Sequence, residues 1–386
     1  MKLPIPYGHQ FISEEDIAAV NEVLRSDYLT CGPAIPAFEK AFSEYIGVKY
    51  AAAVCNATSA LHLAANALGV RPGDNIICTP LTFASSANCI RFCGGNVKFV
   101  DINPESFLLD LGKLKEVLKA SPKGTYKGMV LVDFAGYPHD MEAYRELADE
   151  YGMWILEDAC HVPGGYFINS KGERINCGSC RYVDAAVFSF HPVKHITTGE
   201  GGMVVTNNKR IYDSVCLYRT HGITHDAKQM TKCDGGWYYE MLDLGWNYRI
   251  TDFQAALGMS QLKRARQNVK VRHRLVDRYN AAFAGVKGIR TPRISDKIYH
   301  AYHLYVILTE NRKELYDFLR KNQIFAQVLY YPLNLMPYYK QLGNKEGDLP
   351  NVEEYYRHCL ALPVFPTLTE EQQDYVISKV KEFLKR

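Results

Sequence analysis

The chain reads as an α/β protein, with a mostly parallel central sheet, flanking helices and a smaller C-terminal α+β domain. Three observations predict this. Short apolar runs alternate with helix-length amphipathic stretches through the first part of the sequence, the pattern of strands joined by crossover helices. An acid, Asp158, closes the run that begins at Trp154, at the strand end where ligands of such sheets bind. From about residue 285 the elements change character, and 386 residues make two or three domains at roughly 150 each. We place residues 1–284, entry segment included, in the large domain and 285–386 in the small one.

The elements follow in order. Ser13-Glu-Glu-Asp starts a helix, with Ser13 as N-cap and acids in the first turn; Ile17, Val20 and Leu24 share one face. A loop through Leu29, Thr30 and Gly32 leads to a helix over 34–45. Residues 50–55 are a small-residue strand, and Asn56-Ala-Thr-Ser opens a helix. A strand, a short polar turn and a helix N-terminus make an anion site, to which Thr58 and Ser59 add hydroxyls; an ordinary capped helix would carry the same residues.

Residues 75–79 form a strand ended by Pro80-Leu-Thr-Phe83. Phe83 either offers its ring to a planar ligand or fills the core. Strands follow at 97–101 and 128–133, helices at 110–120 and 141–151. Asp158 then needs a cationic partner, or it caps the next helix, since an unpaired acid there is costly. A helix at 210–220 and a long polar loop at 222–236 precede a single long helix from 252 to about 279, whose Lys and Arg form a solvated face. Strands at 302–308 and 326–331 and helices at 312–322, 351–359 and 369–385 make up the small domain.

Composition narrows the function. Hydrophobic residues are 47%, enough for a large core, and a net charge of +3 is too small for a nucleic-acid or membrane surface. The N-terminal stretch Met1 to Tyr7 is no signal peptide, and no segment has the ~18 apolar residues of a membrane span. The 11 cysteines, odd in number and often inside apolar runs, fit reduced thiols in a cytoplasmic enzyme. Cys177-Gly-Ser-Cys180 would need a second ligand pair to hold zinc, for which Cys160 and His161 are the nearest in sequence. His191 and His195 are separated by Pro192, against a helical ligand pair. We expect no metal.

The chemistry centres on Ala186 to Thr206. An apolar strand passes through a short loop holding one lysine, Lys194, and turns on Gly199, Gly201 and Gly202 into a second apolar strand. A lysine between two strands is poorly hydrated, which lowers its pKa; it is either paired with a carboxylate or used as a nucleophile toward a carbonyl. The glycines let the backbone approach a flat ligand.

The segment Ser189-Phe-His-Pro-Val-Lys-His-Ile-Thr-Thr-Gly-Glu-Gly-Gly202 resembles the lysine segment of the DegT/DnrJ/EryC1/StrS sugar aminotransferases. Glu157-Asp-Ala159 and Gly245-Trp-Asn-Tyr-Arg249, followed by Thr-Asp-Phe-Gln-Ala-Ala, resemble two more of its motifs, and the likeness spans nearly the whole chain. The resemblance implies fold type I and pyridoxal 5'-phosphate (PLP) as cofactor, bound covalently by Lys194. It implies that Thr58, Ser59 and Ser189 hold the PLP phosphate, Phe83 lies over the pyridine ring, and Asp158 pairs with the ring nitrogen. His161, where many members have glutamine, would contact the ring face or O3′. It implies a homodimer with a shared site, Asn247 reaching the cofactor of the other subunit.

The substrate would be lined by Tyr7, Leu29, Thr30, Ala57, Ser189, Asn247, Tyr330 and Tyr331. Phe190-His-Pro-Val-Lys194 is most similar to the branch that aminates C4 of a UDP-4-keto-6-deoxy-N-acetylhexosamine, which includes the pseudaminic acid pathway. Glutamate would be the donor, with Lys194 as general base and acid. Three other readings compete. A dehydratase of the family would have histidine in place of Lys194. A non-catalytic sugar-nucleotide binder would have lost the lysine or the acid. A lysine aldolase without PLP would not need Asp158 or the Thr58 turn.

Overall fold

A computed structural model describes residues 3–385. Its centre is a seven-stranded sheet, whose strands we number β1 (Tyr50–Val54), β2 (Asn75–Cys78), β3 (Asn96–Phe99), β4 (Tyr126–Val132), β5 (Trp154–Asp158), β6 (Ala185–Ser189) and β7 (Gly202–Thr206). Their order is β1-β7-β6-β5-β4-β2-β3. All neighbours pair in parallel except β7, which is antiparallel to both β6 and β1. This is the predicted α/β architecture.

The two faces of the sheet bury separate clusters. One packs Phe38, Phe42 and Ile46 of the helix Ala34–Ile46 against Phe188, Phe190 and Met203. The other packs Leu61 and Ala64 of the helix Ala57–Ala67 against Val54, Val187 and Val204. The side chains of β6 and β7 alternate between these clusters, as the two-residue strand period requires. Both faces being covered explains why these strands read as continuous apolar runs.

The C-terminal part has its own two-stranded pairing, Tyr305–Leu308 with Cys359–Leu362, and its own cluster around Leu315, Leu319, Val376 and Val380. That cluster also takes in Ile5, Tyr279 and Phe283, so the first and last stretches of the large part pack into it.

Three expectations differ from the structure, and one element was not expected. The long helix is two, Asp252–Leu262 and Ala265–Phe283. The break lies at Arg264, whose guanidinium turns back to Asp16 and to the Phe11 carbonyl. The span predicted as a strand, 326–331, forms none; the short strand Ile324–Phe325 before it pairs with Ile5–Pro6, and Gln327 bridges only Ala361. There the Leu329 carbonyl accepts from the Tyr355 hydroxyl at 2.6 Å instead of joining a ladder. The strand at 302–308 starts only at Tyr305. A three-stranded sheet, Ile298–Tyr299 with Tyr166–Ile168 and Arg174–Asn176, was not anticipated, its strands being two or three residues long.

Candidate active site

The parallel strands end at one rim, and a cavity of about 540 Å³ opens there. Nine residues named from the sequence line it: Tyr7, Ala57, Thr58, Phe83, Asp158, His161, Ser189, Lys194 and Tyr330.

Lys194 sits in the loop between β6 and β7. Its N–H donates to the His191 carbonyl at 2.9 Å, and the loop closes through Phe190 N–H to the Gly201 carbonyl at 2.9 Å. The ring of His195 pins the loop to the C-terminal part through a 2.8 Å hydrogen bond to the Ala301 carbonyl. Desolvation lowers the Lys194 amine below its ordinary 10.5, opposed by Cys160 and Asp158. Among the described residues Lys194 is the only lysine or arginine in the wall.

Asp158 ends β5 and is buried. Its Oδ2 accepts from the Ser86 hydroxyl at 2.6 Å and its Oδ1 from the Cys160 N–H at 3.2 Å. Ser86 in turn shares a 2.7 Å hydrogen bond with the Thr82 hydroxyl. The acid is thus oriented by donors on two elements.

The helix Ala57–Ala67 points its N-terminus at the cavity. Asn56 caps it, accepting from the Ser59 N–H at 2.8 Å, which leaves the amides of Ala57 and Thr58 without intrahelical partners. A Cβ on Gly202 would stand 2.6 Å from the Asn56 carbonyl carbon and 2.7 Å from the Ala57 nitrogen. Glycine at 202 therefore lets β7 and this helix-opening turn touch.

His161 is neutral, because burial, with Lys194 and His195 near, holds it well below its ordinary value. Its Nδ1 accepts from the Ala135 N–H at 3.2 Å, which assigns the ring proton to Nε2. His303 lies 4.3 Å away between ring centroids, and the Tyr330 ring is nearly parallel to that of His161 at 6.3 Å. Phe83 is 60% exposed at the mouth, tilted against Tyr330.

The other named residues lie elsewhere. Ser59 is buried behind the turn, its hydroxyl 3.3 Å from Cys55 Sγ. Leu29, Thr30, Asn247 and Tyr331 are exposed and outside the cavity wall. Thr30 bridges Thr251, and Asn247 bridges Thr220.

Behind Asp158, on the opposite side of β5, Glu157 is buried with Asp133, His139 and Cys177. Asp133 Oδ1 accepts from the His139 N–H at 2.9 Å and from His139 Nδ1 at 2.8 Å; both Glu157 oxygens accept from the Gly178 N–H at 3.0 Å. Burial raises both acids, Asp133 to about 7, and the nearby Asp133 charge raises Glu157 further. Among the described residues this is the one convergent set of metal-ligand types, Asp133, Glu157 and Cys177 within 4.8 Å; Cys180, Cys160 and His161 are not part of it.

Several functional candidates were missed. Ser86 was legible, being four residues after Thr82 at a helix start. His303 and Glu200 line the cavity, but no local pattern marks them.

A PLP molecule fits these residues: an amine and an acid share one cavity with a glycine-spaced anion turn and ring faces. The fold and this set of groups define a PLP-dependent aminotransferase. The sequence profile of the DegT/DnrJ/EryC1/StrS aminotransferase family matches residues 10–381. The UDP-4-amino-4,6-dideoxy-N-acetyl-beta-L-altrosamine transaminase of Campylobacter jejuni is 35% identical, the match covering 96% of this chain and 95% of that protein. The structure of Helicobacter pylori PseC, an aminotransferase involved in the biosynthesis of pseudoaminic acid, superposes with a TM-score of 0.89 at 30% identity, covering 100% of both chains. The PLP form of a putative sugar aminotransferase from Streptococcus pneumoniae gives 0.88 at 27% identity over 99% of each chain. The chain belongs to the DegT/DnrJ/EryC1/StrS family and is a PLP-dependent sugar aminotransferase.

Proposed function

We propose that the enzyme moves an amino group from glutamate to the C4 ketone of a UDP-4-keto-6-deoxy-N-acetylhexosamine, in the cytoplasm, as a homodimer. The similarity to the Campylobacter transaminase over nearly the full length of both proteins carries the choice of sugar. Bound PLP would supply the electron sink for the carbanion at the amino carbon.

The chain's own groups do the rest. Lys194 would bind the cofactor covalently and, once free, take the proton from the donor's α-carbon at Nζ and return it. Its desolvation favours the neutral amine that this requires. Asp158, oriented by Ser86 and the Cys160 amide, would hold the ring nitrogen protonated. Thr58, Ser189 and the free amides of the Ala57 turn would take the phosphate, with Ser59 supporting the turn from behind. Phe83 and His161 would bound the ring. Tyr7, Ala57 and Tyr330 would meet the sugar nucleotide.

Leu29, Thr30, Asn247 and Tyr331 are assigned to the same site, and their exposure supports a site completed by a second copy. Trp237, Met241 and Leu244 are 78%, 63% and 75% exposed on the same arm as Asn247. Ile17 and Leu24, the apolar face expected of the first helix, are 45% and 53% exposed. Apolar surface of this extent supports an interface between two copies.

The test is a panel of nucleotide keto-sugars with glutamate as donor. The expected result is amination at C4 of the UDP-N-acetyl sugar. Turnover confined to a dTDP- or GDP-linked sugar, or at C3, would replace that substrate while leaving the aminotransferase intact.

A further inference from the structure

A second cavity, of about 350 Å³, lies between the helix Ala34–Ile46, the strands Tyr166–Ile168 and Arg174–Asn176, and the start of the helix Ala265–Phe283. It shares no lining residue with the Lys194 cavity. Three cations line it, Arg174, Arg266 and Lys270, and no carboxylate does. Among the described residues none of the three makes an ion pair, in a chain whose basic and acidic residues nearly balance, 45 to 42.

Aromatic rings hold the guanidinium groups instead. Arg174 lies 4.0 Å over the Tyr166 ring and Arg266 5.3 Å over Tyr45. Tyr166 stacks on Tyr299 at 4.7 Å and 8°. A ring face orients a guanidinium without neutralising it and without using its N–H donors. Arg174 spends only Nε, on Asn176 Oδ1 at 3.0 Å. Like charges around one cavity repel, and an entering anion relieves that repulsion. The Tyr45 hydroxyl adds a buried polar atom that has no hydrogen-bond partner here. The volume lies at the lower end of small-molecule sites, roughly 300–1,000 Å³, and exceeds what a lone phosphate needs.

We propose that this cavity is a separate, non-catalytic site for a phosphorylated ligand of nucleotide size. Arg174, Arg266 and Lys270 take its phosphates, the Tyr45 hydroxyl donates to one of them, and the edges of the Tyr166–Tyr299 stack meet its planar part. The inference is independent of which sugar is aminated.

Calorimetric titration of the PLP-loaded enzyme with UDP tests it, comparing wild type with Arg266→Gln/Lys270→Gln. Both side chains are exposed, so the double variant should fold and melt as wild type does. Wild type should bind one more equivalent of UDP per chain than the variant, or bind at that step on the order of tenfold tighter or more. Tyr45→Phe should weaken the same step and leave turnover unchanged. Identical stoichiometry and affinity in wild type and double variant would overturn the proposal.

Discussion

Ser86 Oγ donates a 2.6 Å hydrogen bond to Asp158 Oδ2, and both groups are buried at the end of β5. The bond fixes one carboxylate oxygen and leaves the acid's charge for a partner in the cavity. Ser86→Ala removes a hydrogen bond to a charged group, worth about 1.5–3 kcal/mol. PLP should dissociate roughly ten times faster or more, with only a modest change in melting temperature. Asp158→Asn, which removes the charge itself, should lower turnover on the order of 10²-fold or more. Equal PLP retention in wild type and Ser86→Ala would refute the orienting role.

Lys194→Ala should abolish transamination and the yellow absorbance of covalently bound cofactor. In wild-type apoenzyme the neutral amine is the reactive form. The rate of PLP reconstitution should therefore rise with pH and level off through a value below the ordinary lysine 10.5, because desolvation favours loss of the proton. A profile still rising at that value would contradict the desolvated setting.

Gly202→Ala would drive a methyl group into the backbone of Asn56 and Ala57. Overpacking of this kind costs typically 1–3 kcal/mol. Because the clash falls on the anion turn, phosphate affinity should drop more than stability does. Parallel measurements of PLP phosphate affinity and melting temperature would separate the two effects.

Among the described residues six buried histidines, His62, His139, His161, His195, His300 and His303, are all held below their ordinary 6.5 by burial, His139 and His300 to about 3. The unfolded chain then binds more protons than the native one between about pH 3 and 6.5. Stability present above pH 6.5 is lost as pH falls toward 3. Asp133, Asp140 and Glu157, raised by desolvation, act in the opposite sense, but they are three groups against six. Urea midpoints should fall from pH 7 to pH 5. His139→Gln should flatten the dependence, and an unchanged slope would show that this histidine is not held neutral.

The strands of the central sheet and the placement of Lys194 and Asp158 at one rim were legible because both depend on local pattern: apolar runs, glycine turns, an acid closing a run. What depended on distant partners was not. The helix break at Arg264 answers to Asp16, 248 residues earlier. Tyr330 reaches the cavity from an irregular segment that reads as a strand, since its alternating apolar residues serve the cavity and the Phe134 and Tyr355 rings. His303 enters from the C-terminal part with no neighbouring signal. Asn247 was marked by its motif, yet within one chain it stands outside the cavity.

The arm that carries Asn247 also bears Trp237 and Leu244, both turned to solvent in the single chain. If copies must meet to cover these side chains, dilution itself becomes an inhibitor. Specific activity would then track enzyme concentration, and a cell could throttle the pathway simply by making less of the protein.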